Sequence, residues 1–355
     1  MTQILPSTQY RCAMTESLVV SQLLNEYSNI SAAKALAGRR IDQARAALGS
    51  SQEEGLDVVA FGSLARQEVT RESDFDYLVL ATNLPEDLET AANLLTKANE
   101  LRRSWFIEEG MTEKEVPGPG ASGVFGRAVG AFDLIDQIGL QQDTNHSLTR
   151  RMLLLEESVS LMNQDVYDSV IQTTLRRYLT VGSTRPDKVP RFLLNDVVRY
   201  WRTISVDYQA KAREGIDSSG LRYLKLIIPR KVLFAGTAMS LLLCGREGFH
   251  TAEVPDLQDQ VRMPPIDRLV QGYPVAPPPV QDAMREVLSV LDTYLGCSGN
   301  PEWRSLVKQG RRGADANPPE FLAMCDAGDR LQQGLEVVFF DWDVVAARSR
   351  QMLAF

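Results

Sequence analysis

The stretch Val58-Val59-Ala60-Phe61-Gly62-Ser63, taken up again at Ser73-Asp74-Phe75-Asp76-Tyr77-Leu78-Val79-Leu80, decides how this chain is read. An apolar strand runs into a Gly-Ser turn and a polar helical turn. A second apolar strand then opens on an Asp-x-Asp pair. Strand side chains alternate, so Asp74 and Asp76 point to the same side. Two carboxylates that close repel each other, and a divalent cation relieves the repulsion. Mg²⁺ or Mn²⁺ would suit, because Mg²⁺ accepts carboxylate oxygens together with phosphate. A Gly-Ser turn at a helix start offers backbone N–H groups and a hydroxyl to a phosphate. Asp74 and Asp76 are therefore the candidate metal ligands, and Gly62 and Ser63 the candidate phosphate holders.

These four residues, with Leu64-Ala65-Arg66-Gln67-Glu68 after the turn, resemble the signature of the DNA polymerase β-like nucleotidyltransferase superfamily. Within it they are most similar to the branch that includes the uridylyltransferase acting on the PII signalling protein. The resemblance is carried by residues 56–80 and is weaker over 120–235. It implies a catalytic domain with a small mixed sheet, an NTP substrate, and transfer of a nucleoside monophosphate to an acceptor hydroxyl with release of pyrophosphate. The acceptor would be a protein, an RNA end or a small hydroxylated molecule. Cyclic oligonucleotide synthases of the bacterial antiphage type share the signature, with another nucleotide as acceptor. Relatives usually add a third carboxylate on a neighbouring strand, and Asp133 in Ala131-Phe132-Asp133-Leu134-Ile135 is the best positional match. Phe132, Leu134, Ile135 and Ile138 also fit a helix, which would make Asp133 its N-cap or first turn. Asp136 and Asp143 are poorer alternatives. Without a third acid the chain would recruit another group, or be a nucleotide-binding regulatory module that has lost catalysis.

Basic residues extend the expected nucleotide site. Arg66 could fork onto phosphate or make a surface salt bridge. Asn195, Arg199 and Arg202 recur on one helical stripe beside Leu194, Val198 and Trp201, which would let both arginines meet a triphosphate. Lys225 and Lys231, with Arg222 and Arg230, add positive charge near the start of the next helix, although snorkelling surface side chains fit as well.

Composition narrows the classes. A net charge of −8 disfavours an extended nucleic-acid-binding surface, which would need broad basic cover. Four scattered cysteines show no metal-ligand spacing and fit a reducing cytoplasm. With His146 and His250 the only histidines, zinc sites and Ser-His-Asp triads have little raw material. The polar start, Met1 to Tyr10, lacks a secretory pattern. The longest apolar run, Val232 to Cys244, is too short to span a bilayer and reads as a core helix.

The expected organisation is α+β: a nucleotidyltransferase domain over 1–145 with N-terminal helices, then an all-helical substrate- and nucleotide-binding domain over 146–355. Helices are expected at about 86–104 after the turn Asn83-Leu84-Pro85-Glu86-Asp87, at 191–213, at 220–244 with a break at Pro229, and at 280–295, 301–310 and 319–349. Pro117-Gly118-Pro119-Gly120-Ala121-Ser122-Gly123 is a loop, either plain surface or mobile over the nucleotide.

Overall fold

Strand β1 (Leu56–Phe61) pairs antiparallel with β2 (Asp76–Ala81), Phe61 opposite Asp76 and Leu56 opposite Ala81. Strand β3 (Ala128–Gly130) lies parallel to β2, and β4 (Ser158–Ser160) antiparallel to β1, giving a mixed sheet in the order β3-β2-β1-β4. The computed structural model describes residues 18–49, 55–82, 88–113, 116, 125–141, 143–213, 219–314 and 316–353. The Pro117–Gly123 loop and the 83–87 turn lie outside the described residues.

Both faces of β1 and β2 are buried, which is why these strands read as nearly continuous apolar runs. Strand alternation divides them. Val58, Ala60, Tyr77 and Val79 pack with the helices Ser28–Leu48 and Leu88–Glu108. Val59, Phe61, Leu78 and Leu80 pack into the larger core built by the C-terminal helices. Asp76 shares the face of Leu78 and Leu80, so its carboxylate turns toward the helical region.

That region holds the helices Asn145–Glu156, Gln164–Val181, Arg191–Arg213, Ser219–Ile227, Pro229–Leu243, Pro278–Ser298, Pro301–Lys308 and Pro319–Phe340, with shorter ones between and after them. Proline begins several of them, where its missing N–H breaks no intrahelical bond. The break expected at Pro229 falls at Ile228, whose backbone leaves helical geometry. The architecture is therefore α+β with a helical C-terminal region. The stretch Gly220–Leu243 is long and apolar enough to cross a membrane, but 72% of its most apolar window is buried inside the fold.

The sheet does not end at residue 145, the boundary the sequence suggests. Its fourth strand follows the helix Asn145–Glu156 and completes the edge of β1. The helix Ser28–Leu48 likewise reaches across the molecule. Tyr27 precedes it without a capping side chain, and Asp292 supplies the cap instead. Asp292 Oδ1 accepts from the N–H groups of Asn29 and Ile30 at 2.8 and 2.9 Å, and Oδ2 accepts from Asn29 Nδ2 at 2.9 Å. The carboxylate meets the positive end of the helix dipole. Lys34 pairs with Asp267 at 2.7 Å on the same seam.

Asp57 gives this fold a pH dependence. It is fully buried in β1, and its Oδ1 accepts from the N–H groups of Met162 and Asn163. Those bonds favour the carboxylate, but loss of water outweighs them and raises its pKa to about 7. Between its ordinary value near 3.8 and about 7 the folded state holds a proton that the unfolded state has lost. Stability therefore falls as pH rises through that window and is level above it. Asp57→Asn keeps the acceptor oxygen and removes the titration. Melting from pH 5.5 to 8 should show the variant losing less stability than the wild type; parallel curves would assign no such proton to Asp57.

Candidate active site

Gly62 ends β1 with φ +67°, and a Cβ built there would stand 3.2 Å from Asp76 Oδ2. Only glycine combines that backbone with so close an approach to a carboxylate. The segment after it is a hydrogen-bonded turn rather than a helix: Arg66 N donates to Gly62 O at 2.9 Å and Glu68 N to Ser63 O at 2.8 Å. The N–H groups of Ser63 and Leu64 donate to no carbonyl among the described residues.

The turn and the start of β2 line a cleft of about 460 Å³ between the sheet and the helical region. Asp74 is exposed and Asp76 half-buried. Neither makes a hydrogen bond or ion pair among the described residues. Burial pushes the Asp76 carboxyl up to about 7, with Asp74 and Glu157 adding to the effect and Lys225 and Arg230 opposing it. Lys225, Arg230 and Arg304, from three different helical segments, line the same cleft, with Arg304 Nε 3.8 Å from Glu72. Burial lowers the Lys225 ammonium to about 8, helped by Arg304, Arg230 and Arg66 and resisted by Asp74. Tyr200 and Tyr294 fill the back, and Phe125 stands at one edge, 5.7 Å from Phe61 ring to ring.

Among known families, residues 41–114 match the nucleotidyltransferase domain. This segment is a nucleotidyltransferase domain. The match spans β1, the Gly-Ser turn, both aspartates and the helix Leu88–Glu108, and is consistent with the polymerase β-like superfamily. No curated protein matches the chain.

Around this nucleotidyltransferase domain the structure gathers only some of the residues singled out in the sequence. Gly62, Ser63, Arg66, Asp74, Asp76 and Lys225 share the cleft. Arg66 is committed there: its Nε donates to Glu68 at 2.7 Å and its Nη1 to Glu157, and all three side chains are largely buried. It braces the turn and is not a free phosphate fork.

Asp133 lies elsewhere. It is exposed in the first turn of the short helix Ala131–Ile135, as its apolar neighbours at helical spacing allow, and does not line the cleft. Asp143 is tied to Arg151, and Asp136 accepts from Gln137. Beside β2, strand β3 contributes Ala128, Val129 and Gly130, with no acid. Besides Asp74 and Asp76, the carboxylates that line the cleft are Glu68, Glu72, Asp207 and Glu157, which lies just before β4 and is paired with Arg66. Arg199 and Arg202 miss the cleft as well. They line a neighbouring groove, because Asp143 and Asp196 hold Arg199 beside the buried Arg151. Lys231, one residue past the cleft-facing Arg230, turns to a separate groove with Trp201 and Tyr223.

Arg304 and Glu157 were not expected from the sequence. Arg304 is remote in sequence from Asp74 and belongs to no local pattern. Glu157 had one signal: a Glu-Glu pair closing an apolar helix immediately before the short run Ser158-Val159-Ser160.

Proposed function

We propose that this protein transfers a nucleoside monophosphate from an NTP to an acceptor hydroxyl and releases pyrophosphate. The carrying observation is the cleft itself, which gathers two aspartates unpartnered among the described residues, a Gly-Ser turn and three cations. The donor chemistry fits a divalent ion. Asp74 and Asp76 are hard oxygen ligands, and their mutual repulsion favours a cation. Among the described residues no group of three or more His, Cys, Asp or Glu forms a closed metal cage. Mg²⁺ or Mn²⁺ held by these two side chains would supply charge neutralisation at the reacting phosphate.

The chain's own residues account for the rest. The Ser63 hydroxyl and the turn's N–H groups hold phosphate oxygens. Lys225, Arg230 and Arg304 meet the charge that builds on the departing pyrophosphate, which is where electrostatic catalysis acts in this chemistry. The acceptor oxygen forms a bond to the α-phosphorus as the bond to the bridging oxygen breaks. The leaving pyrophosphate takes that electron pair, and the hydroxyl proton passes to solvent. The free cysteines Cys244, Cys297 and Cys325 fit a reducing cytoplasm.

The test is pyrophosphate release from each of the four NTPs with Mg²⁺ or Mn²⁺, with and without cell extract, products resolved by mass. A product heavier than its acceptor by one NMP supports the reading. The distance of Asp133 from the cleft favours a second reading, a nucleotide-binding module without turnover. Mg²⁺-dependent NTP binding with no pyrophosphate under any condition would select that module.

Lys225 sets a pH signature for binding. It loses its proton near pH 8 in the free protein, and a bound polyphosphate holds the proton on. NTP affinity should therefore fall as pH rises from about 8 to 9.5, above the titration of Asp76 near 7. In Lys225→Met the affinity should be lower and flat over that window. An equally steep fall in the variant would remove Lys225 from the phosphate site.

A further inference from the structure

Next to the cleft lies a groove of about 340 Å³ that shares Asn145 and Thr203 with it, so the two cavities adjoin. Its wall is one stripe of the helix Arg191–Arg213: Asn195, Arg199, Arg202 and Val206. The Arg199 guanidinium faces Asp143 and Asp196 at 3.7 and 3.6 Å yet stays 39% exposed. Arg202 is exposed, and its guanidinium has no hydrogen-bond or ion-pair partner among the described residues. Asp143 and Asp196 are balanced by Arg151 and Arg199, which leaves Arg202 as the uncompensated charge of the groove. Val206 is 68% exposed, an apolar surface beside that charge.

We propose that this groove binds the acceptor, and that the acceptor is a phosphate-bearing nucleotide whose hydroxyl points into the cleft. The proposal rests on the transferase reading above. The groove's size suits a nucleotide or dinucleotide rather than an extended chain. Guanidinium forks match phosphate geometry. Asn145 and Asn195 carry both donors and acceptors for a base edge, and Val198 and Val206 offer apolar cover for the ribose and base face. An acidic peptide would need a longer row of free cations than this groove provides.

The test uses the full chain and two probes: α,β-methylene-ATP with Mg²⁺ for the cleft, and the 5′-phosphorylated dinucleotide pApA for the groove. In wild-type protein, pApA should bind without displacing the saturating ATP analogue. Arg202→Glu should weaken pApA roughly ten- to hundredfold, the worth of a hydrogen-bonded charge pair, and Arg202→Lys should weaken it less. The ATP analogue should bind both variants within about twofold of wild type, since Arg202 does not line the cleft. Analogue binding with no pApA binding, or pApA binding indifferent to Arg202→Glu, overturns the acceptor assignment alone. Displacement of the analogue by pApA does the same. Tighter binding of a polyglutamate peptide than of pApA, lost in Arg202→Glu, would give the groove to a protein acceptor and overturn the nucleotide. Failure of the analogue itself to bind overturns the transferase reading beneath it.

Discussion

Replacing Asp74 and Asp76 together by alanine should lower pyrophosphate release at least about a thousandfold while leaving the protein folded, because the pair would supply metal and charge rather than packing. Asp74 is exposed, and among the described residues Asp76 makes no hydrogen bond or ion pair that the substitution would break. The substitution also relieves a cost. The Asp76 carboxyl is raised to about 7, so its ionised form weighs against folding above that pH. That penalty builds as pH rises from about 3.8 to 7 and is full at pH 8, where the metal-free double variant should melt at or above the wild-type temperature. Mg²⁺ should raise the wild-type melting temperature by mass action and leave the variant's unchanged. Turnover within tenfold of wild type in the variant would remove both aspartates from the mechanism.

The second large effect concerns stability. Arg151 is fully buried and joins three helices. Its Nη2 meets Asp143 at 2.8 Å and Asp196 at 3.2 Å, its Nε donates to Tyr178 Oη at 2.6 Å, and the Tyr178 hydroxyl donates to Asp196 at 2.7 Å. Arg151→Ala would leave two carboxylates buried with only the half-exposed Arg199 nearby. Breaking a buried pair from one side costs about 3–5 kcal/mol. For a protein of this size that is a fall in Tm of about 4–7 °C. Adding Asp143→Asn and Asp196→Asn to Arg151→Ala should recover part of the loss, since the stranded charges go with them. Arg202→Ala, on the exposed side of the helix Arg191–Arg213 that carries Asp196, should change Tm by less than about 2 °C. An Arg151→Ala protein as stable as wild type would mean that the network specifies geometry without supporting the fold.

What the sequence made legible was local. Residues 56–80 hold a strand, a turn that needs glycine and a strand opening on Asp76 just after Asp74, so pattern and chemistry coincide. Helix starts were marked by proline at Pro229, Pro278, Pro301 and Pro319, a restriction written into a single residue. The sequence left Asp133 open between a strand acid and the first turn of a helix, and helical spacing won. The arginine stripe of the helix Arg191–Arg213 was visible, but not where it faced. That depends on Asp143 and Asp196 being drawn to Arg151, a tertiary arrangement with no periodic signature. Arg304 reaches the cleft only because the helix Pro301–Lys308 packs against Ser219–Ile227, a pairing that nothing in the chain near Arg304 announces.

The cap that Asp292 places on the helix Ser28–Leu48 bears on how this protein can be taken apart. A catalytic half cut out at residue 145 would lose that cap, the Lys34–Asp267 pair, the strand that covers β1, and the N–H donors to Asp57. Such a fragment would present an open strand edge, a ready template for aggregation. The nucleotidyltransferase segment is thus not a portable module. It could be inherited or grafted into another protein only together with the distant helix that finishes it.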